Sequence, residues 1–144
     1  MKKIKVGDTF VFKGVALKTG DHVLFFDPLI ELPHIEACFT NVDENGYMNV
    51  FSTLLVPFHH NGKFKESEVF SLKVVKPAIE AFMFQSRNKR LFYGQKAVTY
   101  INDILVECQL IGAFDGIVCG WCKGTNNFVS GGSTNFVPIV VNKK

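Results

Sequence analysis

Two cysteines spaced C-x-x-C form the strongest chemical motif in the sequence. They are Cys119 and Cys122, in the stretch VCGWCKG. Such a pair serves redox chemistry when its first thiol lies at a helix N-terminus, where the pKa of that thiol falls. The flanking residues do not predict a helix, because Ile117 and Val118 are β-branched and a Gly- and Asn-rich stretch follows. The pattern therefore favours a strand.

An extended strand cannot hold the two sulfurs together. Three strand steps of about 3.3 Å would place the α-carbons of Cys119 and Cys122 roughly 10 Å apart. A disulfide tolerates about 4.4 to 6.8 Å between these atoms. The two side chains would also point to opposite faces of the sheet, because they are three residues apart. We therefore expect buried, reduced thiols here.

Other catalytic or metal-binding patterns do not accompany this motif. A closed zinc site needs four ligands, and the sequence has neither a second C-x-x-C nor an H-x₃₋₅-H pair. No Walker loop and no G-x-G-x-x-G fingerprint is present. No local signature singles out a nucleophile with its base. The expectation is a protein that is not an enzyme and that holds no metal or cofactor.

Composition places the chain among ordinary globular proteins. Of its 144 residues, 47% are hydrophobic and 20% are charged, which does not support disorder. The 15 phenylalanines suit sheets. The net charge of +3 permits nucleic-acid contact but is far from that of a polybasic arm. No apolar run has the length of a signal peptide or a membrane helix, so a cytoplasmic location is expected.

Alternating apolar and polar residues predict a β-rich fold. Each predicted hairpin contains a two-residue turn signal, Asn45-Gly46 in the first and Asp115-Gly116 in the second. The predicted strands cover residues 9–13 and 22–26, residues 35–41 and 47–55 of the first hairpin, and residues 104–113 and 117–122 of the second.

One helix is predicted between the two hairpins. Pro77 suits the first helical position, and apolar residues recur at helical spacing over 78–91. Arg87, Lys89 and Arg90 would lie in its last turns, where cations complement the helix dipole. The fold class is therefore mostly β, or β-rich α+β, with one connecting helix. The predicted organisation is a β unit over 1–76, the helix and connector over 77–93, and a second β unit over 94–144, packed as one domain or two.

The two hairpins can be superposed on each other. Ile35-Glu36 then matches Val106-Glu107, Phe51 matches Trp121, and residues 55–58 match 136–139. This correspondence suggests an internal duplication of one β unit. Two unrelated hairpins that share common turn residues are the alternative.

The N-terminal stretch KVGDTFVF, from Lys5 to Phe12, resembles the opening strand of SH3-like small barrels of the KOW and Tudor kind. The run from Asp115 through Trp121 to Ile139 resembles a small-barrel hairpin that closes into a last short strand. The resemblance implies one or two SH3-like units and a binding role, toward peptides, modified side chains or nucleic acid. The chain departs from the pattern in its long 28–33 loop and in the lack of a complete aromatic cage.

The candidate ligand-binding residues combine aromatic, basic and polar side chains near the predicted loop 123–135. Aromatic rings could stack on bases, cations could attract phosphate, and a Gly-, Ser- and Thr-rich loop could present N–H groups to an anion. The predicted site comprises Trp121, Phe128 and Tyr47 for stacking, Arg87, Lys89, Arg90 and Lys123 for phosphate, and Asn126, Asn127, Ser133 and Thr134 for hydrogen bonds.

The sequence thus predicts a non-enzymatic binding protein that recognises nucleic acid or a partner protein. The alternative function is sequestration of a small nucleotide by the 123–135 loop, in the manner of a phage accessory or anti-defence protein. The sequence also allows the chain to form a homo-oligomer. The side chains expected to face the core are Phe10, Phe12, Val23, Phe25, Val106, Leu110, Val118 and Val137.

Overall fold

A computed structural model describes residues 8–26, 35–51, 62–124 and 127–139 of the chain. Strands dominate these residues, which confirms the predicted β-rich fold with one helix. In this part of the chain no helix is long and apolar enough to cross a membrane. The elements are β1 (Thr9–Phe12), β2 (Val15–Lys18), β3 (His22–Phe26), β4 (Ile35–Val42), β5 (Met48–Phe51), β6 (Lys63–Phe64), β7 (Phe70–Lys76), α1 (Ala78–Gln85), β8 (Lys96–Ile101), β9 (Ile104–Phe114), β10 (Ile117–Cys122), β11 (Asn127–Gly132) and β12 (Val137–Pro138).

Two five-stranded antiparallel sheets share one strand order. The first sheet runs β7-β3-β4-β5-β6 and the second runs β12-β8-β9-β10-β11, while β1 and β2 form a separate hairpin. In each sheet four consecutive strands form a meander, and the next strand returns to pair with the first of them. A single 3₁₀ turn precedes that returning strand, at Glu66–Glu68 and at Ser133–Asn135. Over the described residues both sheets are open, so the barrel closure that the resemblance predicted is not observed.

The two predicted hairpins occupy equivalent places in the two sheets. Cys38 of β4 lies opposite Phe51 of β5, and Gln109 of β9 lies opposite Trp121 of β10. The superposition of Phe51 on Trp121 therefore agrees with the strand register. The match of residues 55–58 to 136–139 lies outside the described residues. By position in its sheet, the counterpart of β12 is β7.

The first core lies between the β1–β2 hairpin and the first sheet. Its buried side chains include Phe12, Val23 and Phe25, as the alternation predicted. Phe10 is half-buried at the margin of this core. The buried cluster comprises Phe12, Leu17, Val23, Phe25, Ile35, Ala37, Phe39, Met48, Val50, Phe64 and Val69.

The second core lies between α1 and one face of the second sheet. Leu110 and Val118 are buried in it as predicted, and Val106 is half-buried against it. Val137 was expected to face inward, and this prediction is wrong, because the side chain is 56% exposed. Its strand β12 is an edge strand, and Val137 pairs with Val98 on the sheet face that α1 does not cover.

The helix is shorter than the sequence predicted. It ends at Gln85, and Arg87 follows with a φ of 57° in the left-handed region, which interrupts helical geometry. Pro77 lies just before the helix rather than inside it and provides no capping side chain. Asp21, which is distant in sequence, supplies the missing acceptor, because its Oδ1 accepts a hydrogen bond from the Ala78 N–H at 2.8 Å.

The turn between β2 and β3 joins the first sheet to the second. The Tyr93 hydroxyl donates to the Thr19 carbonyl at 2.7 Å. His22 is fully buried, and its Nε2 donates to the Ala113 carbonyl of β9 at 2.6 Å. Buried hydrogen bonds of this kind resist separation, because each broken partner would be left without water. The turn is therefore fixed against both α1 and β9.

Candidate functional site

The C-x-x-C pair lies in an extended strand, as its neighbours predicted. Cys119 packs with Ile111 and Trp121 on one face of β10. Cys122 packs on the other face, in the core that includes Phe82 of α1. The two side chains therefore point to opposite faces, which confirms the expected geometry. This arrangement gives the pair no route to a shared disulfide without local unfolding.

Burial suppresses the acidity of the Cys108 and Cys119 thiols. Desolvation, with smaller effects from Cys108 and Cys122, raises the pKa of Cys119 to about 12. Desolvation, with smaller effects from Cys122 and Glu107, raises the pKa of Cys108 to about 12. At pH 8 a group of this pKa is ionised in about one molecule in ten thousand, and the thiolate is the reactive form. Within the described ranges, no three His, Cys, Asp or Glu side chains are grouped to hold a metal ion.

We expect the native thiols to resist modification at pH 8. A disulfide reagent such as Ellman's should react slowly with the folded protein and release the equivalent of all four cysteines once denaturant is added, because unfolding exposes each thiol and restores its ordinary pKa. Val11→Cys serves as a positive control, since position 11 is 69% exposed on β1. Rapid labelling of the unsubstituted native protein would contradict the burial described above.

Trp121, the central residue of the predicted ligand site, is packed inside the protein. It is 4% exposed. Its ring lies edge-on to Phe128, with 4.8 Å between the ring centroids, and Phe51 of the first sheet packs against the same cluster. A nucleic-acid base cannot stack on an indole that these neighbours already cover. Phe128 is half-buried and keeps part of its ring accessible.

Most of the predicted polar loop 123–135 is a strand and a turn. Residues 127–132 form β11 and pair along the whole of β10. Ser133 is buried, and its N–H donates to the Gly116 carbonyl at 2.9 Å. Sheet pairing uses backbone groups that the predicted anion site would need. Lys123, Asn127 and Thr134 are exposed, and Asn126 lies outside the described residues.

The structure does not bring the predicted basic residue Arg87 to Trp121. Arg87 forms an ion pair with Asp115, in the turn at the start of β10, whereas Trp121 lies near the end of that strand. The five strand steps from residue 116 to Trp121 correspond to about 16 Å. Lys89 and Arg90 are exposed in the turn after α1.

Tyr47 belongs to a different part of the molecule. It lies beside the β4–β5 turn of the first sheet, half-buried, with the Lys65 ammonium 5.6 Å from its ring centroid. The residues proposed from sequence therefore occupy several separate places. Of those that the structure describes, Trp121 and Phe128 pack against each other.

A different surface is formed by the hairpin of β8 and β9. Asn102 and Asp103 connect the strands with φ values of 50° and 66°, the two positive angles of a type I′ turn. In the described residues β10 pairs with β9 from Gln109 onward, and β12 pairs only with Ala97 and Val98 of β8. Residues 100–105 therefore extend beyond their neighbours as a two-stranded ribbon, which we call the arm.

Both faces of the arm carry exposed apolar side chains, with Tyr100 and Leu105 on one face and Ile101 and Ile104 on the other. Tyr100 lies directly opposite Leu105, so both side chains share a face, and they are 71% and 55% exposed. The adjacent row on that face contains Glu107, Val98 and Val137. We call the set Tyr100, Leu105 and Val137 the arm face. Contiguous exposed apolar side chains of this kind mark interaction surfaces more often than isolated ones do.

Sequence reasoning assigned residues 94–144 to a β unit but did not identify β8. Two signals could have located it. The segment KAVTYI alternates in polarity, and an Asn-Asp pair follows it directly before the predicted strand at Ile104. Asn and Asp tolerate the left-handed conformation that a two-residue hairpin turn requires. The exposure of Tyr100 and Leu105 could not have been read from this pattern.

No protein-family model matches the chain, and comparison with curated proteins finds no significant similarity.

Proposed function

We propose that this protein is a non-enzymatic binding module that recognises a partner protein through the arm face. The exposure of Tyr100 and Leu105 on one face of the ribbon is the observation that carries this proposal. A two-stranded ribbon gains little stability by itself in water. A partner that covers this face would bury apolar area and order the ribbon. Tyrosine is also enriched where proteins meet.

The charges around the arm favour a protein over a nucleic acid. Asp103 lies in the turn at the tip of the arm. Glu107 lies opposite Val98, on the same side of the sheet as Tyr100 and Leu105, and both carboxylates are exposed. Carboxylates at these positions would repel phosphate, whose attraction to cations dominates nucleic-acid affinity. The packing of Trp121 also removes the main stacking platform that the nucleic-acid hypothesis requires.

The repeated strand order of the two sheets supports the proposed duplication of one unit. The SH3-like resemblance proposed from the sequence implies binding of peptides, modified side chains or nucleic acid, and the first of these agrees with a protein partner. Small-nucleotide sequestration by residues 123–135 has less support, because β11 occupies most of that segment. The proposed module requires no cofactor.

Substitution of the arm face tests the proposal. A displayed library of random peptides should yield sequences that bind the unsubstituted protein, and the double variant Tyr100→Thr/Leu105→Thr should bind them about ten- to a hundredfold more weakly, as expected when two anchors of more than about 1 kcal/mol are removed. Threonine keeps the strand propensity while removing the apolar surface. Val11→Thr is the matched control, because Val11 is exposed on a strand far from the arm in sequence.

Nucleic-acid and nucleotide ligands provide the opposing test. Short RNA, single-stranded DNA and a nucleotide panel would be titrated at low and high salt while Trp121 fluorescence is recorded. We expect no saturable change. Saturable binding that weakens steeply with salt, together with equal peptide binding by the arm variant and the unsubstituted protein, would overturn the proposal.

A further inference from the structure

The helix α1 carries a second exposed apolar surface. Ile79, Met83 and Phe84 are each 65% exposed, although Ala81 on the opposite side of the helix is buried and Phe82 packs in the second core. Ile79 and Met83 are four residues apart and are therefore neighbours on the helix surface. A helix that is apolar on all sides is normally covered on all sides. We call Ile79, Met83 and Phe84 the helix face.

The surroundings of the helix face are basic. The Lys76 ammonium lies over Phe84, 4.3 Å from its ring centroid. The turn that follows the helix carries exposed Lys89 and Arg90. One acidic residue, Glu80, is exposed on the same side of the helix. The charge around the helix face is therefore opposite in sign to the charge around the arm, where Asp103 and Glu107 lie near Tyr100 and Leu105.

The two surfaces of one molecule cannot meet each other. The helix packs on the sheet face that contains Ala97 and Leu110. Tyr100 is three residues from Ala97 in β8, so its side chain projects from the opposite face of the sheet. Any contact between the arm face and the helix face must therefore form between two molecules.

We propose that the arm face of one copy docks on the helix face of a second copy. This inference rests on the proposed function, because it names the protein partner of the arm. Docking would cover two apolar surfaces that are otherwise exposed and would place Asp103 and Glu107 of one copy near Lys76, Lys89 and Arg90 of the next. The surfaces differ, so the contact is heterologous and generates an open chain or a closed ring.

Mixing two variants tests the contact directly. The arm variant Tyr100→Thr/Leu105→Thr keeps an intact helix face, and the helix variant Ile79→Gln/Met83→Gln keeps an intact arm. Sedimentation velocity should show that the unsubstituted protein gains mass as its concentration rises, while each variant alone stays monomeric. An equimolar mixture of the variants should form a dimer and nothing larger, because only one complementary pair of surfaces remains.

Other outcomes overturn the inference in distinguishable ways. A helix variant that associates as the unsubstituted protein does would show that the helix face is not the docking site of the arm. An unsubstituted protein that stays monomeric at every concentration would exclude a second copy as the partner, while arm-dependent peptide binding would still support the proposed function. If the library instead yields no peptide that depends on the arm face, while the unsubstituted protein still assembles through that face, the arm would bind a second copy and not other proteins, which would contradict the proposed function.

The folding of each variant is checked before mixing. Far-ultraviolet circular dichroism and Trp121 fluorescence should match those of the unsubstituted protein, since all four substituted side chains are exposed. The single variants Leu105→Thr and Met83→Gln replace either double variant that fails this check. Val11→Thr should assemble as the unsubstituted protein does.

Discussion

Replacing Phe25 with Ala should lower the free energy of unfolding by about 3 to 5 kcal/mol. Phe25 is fully buried in the first core, and its ring meets that of Phe64 edge-on with 4.9 Å between the centroids. The substitution removes the transfer free energy of the ring and leaves a cavity that surrounding strands can only partly fill. Urea denaturation, with equal slopes for both proteins, measures the loss.

Two further phenylalanines calibrate this result. Phe92→Ala should cost less than about 1 kcal/mol, because an exposed ring gains little from folding. Phe10→Ala should fall between the two, because Phe10 is half-buried beside Phe39 with 5.7 Å between ring centroids. Equal losses for Phe25 and Phe92 would show that the alternation of β3 has been assigned to the wrong face.

Replacing Gly20 with Ala should cost about 2 to 5 kcal/mol, the sum of backbone strain and overpacking. Gly20 has a φ of 97°, a conformation that side chains disfavour. A methyl group at this position would overlap the Ile111 carbonyl oxygen and approach the Tyr93 ring to 2.8 Å. Ile111 belongs to β9 and the Tyr93 hydroxyl is hydrogen-bonded to the Thr19 carbonyl, so neither neighbour can move without breaking sheet or hydrogen-bond contacts.

Gly46→Ala separates the two causes. Gly46 also has a positive φ, of 82°, but a methyl group there would meet no atom within 4 Å. Its cost should therefore be the backbone strain alone, about 1 to 2 kcal/mol. If denaturation gives the same loss for Gly20 and Gly46, the close approach of the β2–β3 turn to β9 is refuted.

The Gly20 contact also bears on the proposed binding surface. Gly20 approaches Ile111 of β9, the same strand that carries Leu105 of the arm. His22 holds that strand a short distance further along, through the Ala113 carbonyl. The β2–β3 turn therefore fixes β9 against the first sheet, and it sets the direction in which the arm extends.

Local features of the sequence determined some of the strands and turns. The alternation of apolar and polar residues located β3, β4, β9 and β10, and the pair Asp115-Gly116 located one hairpin turn. Both signals can be read from a few neighbouring residues, because strand alternation repeats every two residues and a hairpin turn spans two. The same reasoning placed Cys119 and Cys122 on opposite faces of a strand. The start of the helix next to Pro77 was also predicted from neighbouring residues. Its early end at Gln85 was not, because it depends on the left-handed conformation of Arg87.

Tertiary contacts alone decided which side chains are accessible. Trp121 lies just before a polar stretch typical of a surface loop, yet Phe128 and Phe51 cover it, and Phe51 comes from the other sheet. Tyr100, Leu105 and Met83 are as apolar as core residues, yet no described element lies over them. Burial depends on which distant segments meet, because the free energy of apolar transfer is set by the area that they remove from water. A strand pattern fixes which side chains share a face, and only the packing of α1 and of the first sheet determines which face stays in contact with solvent.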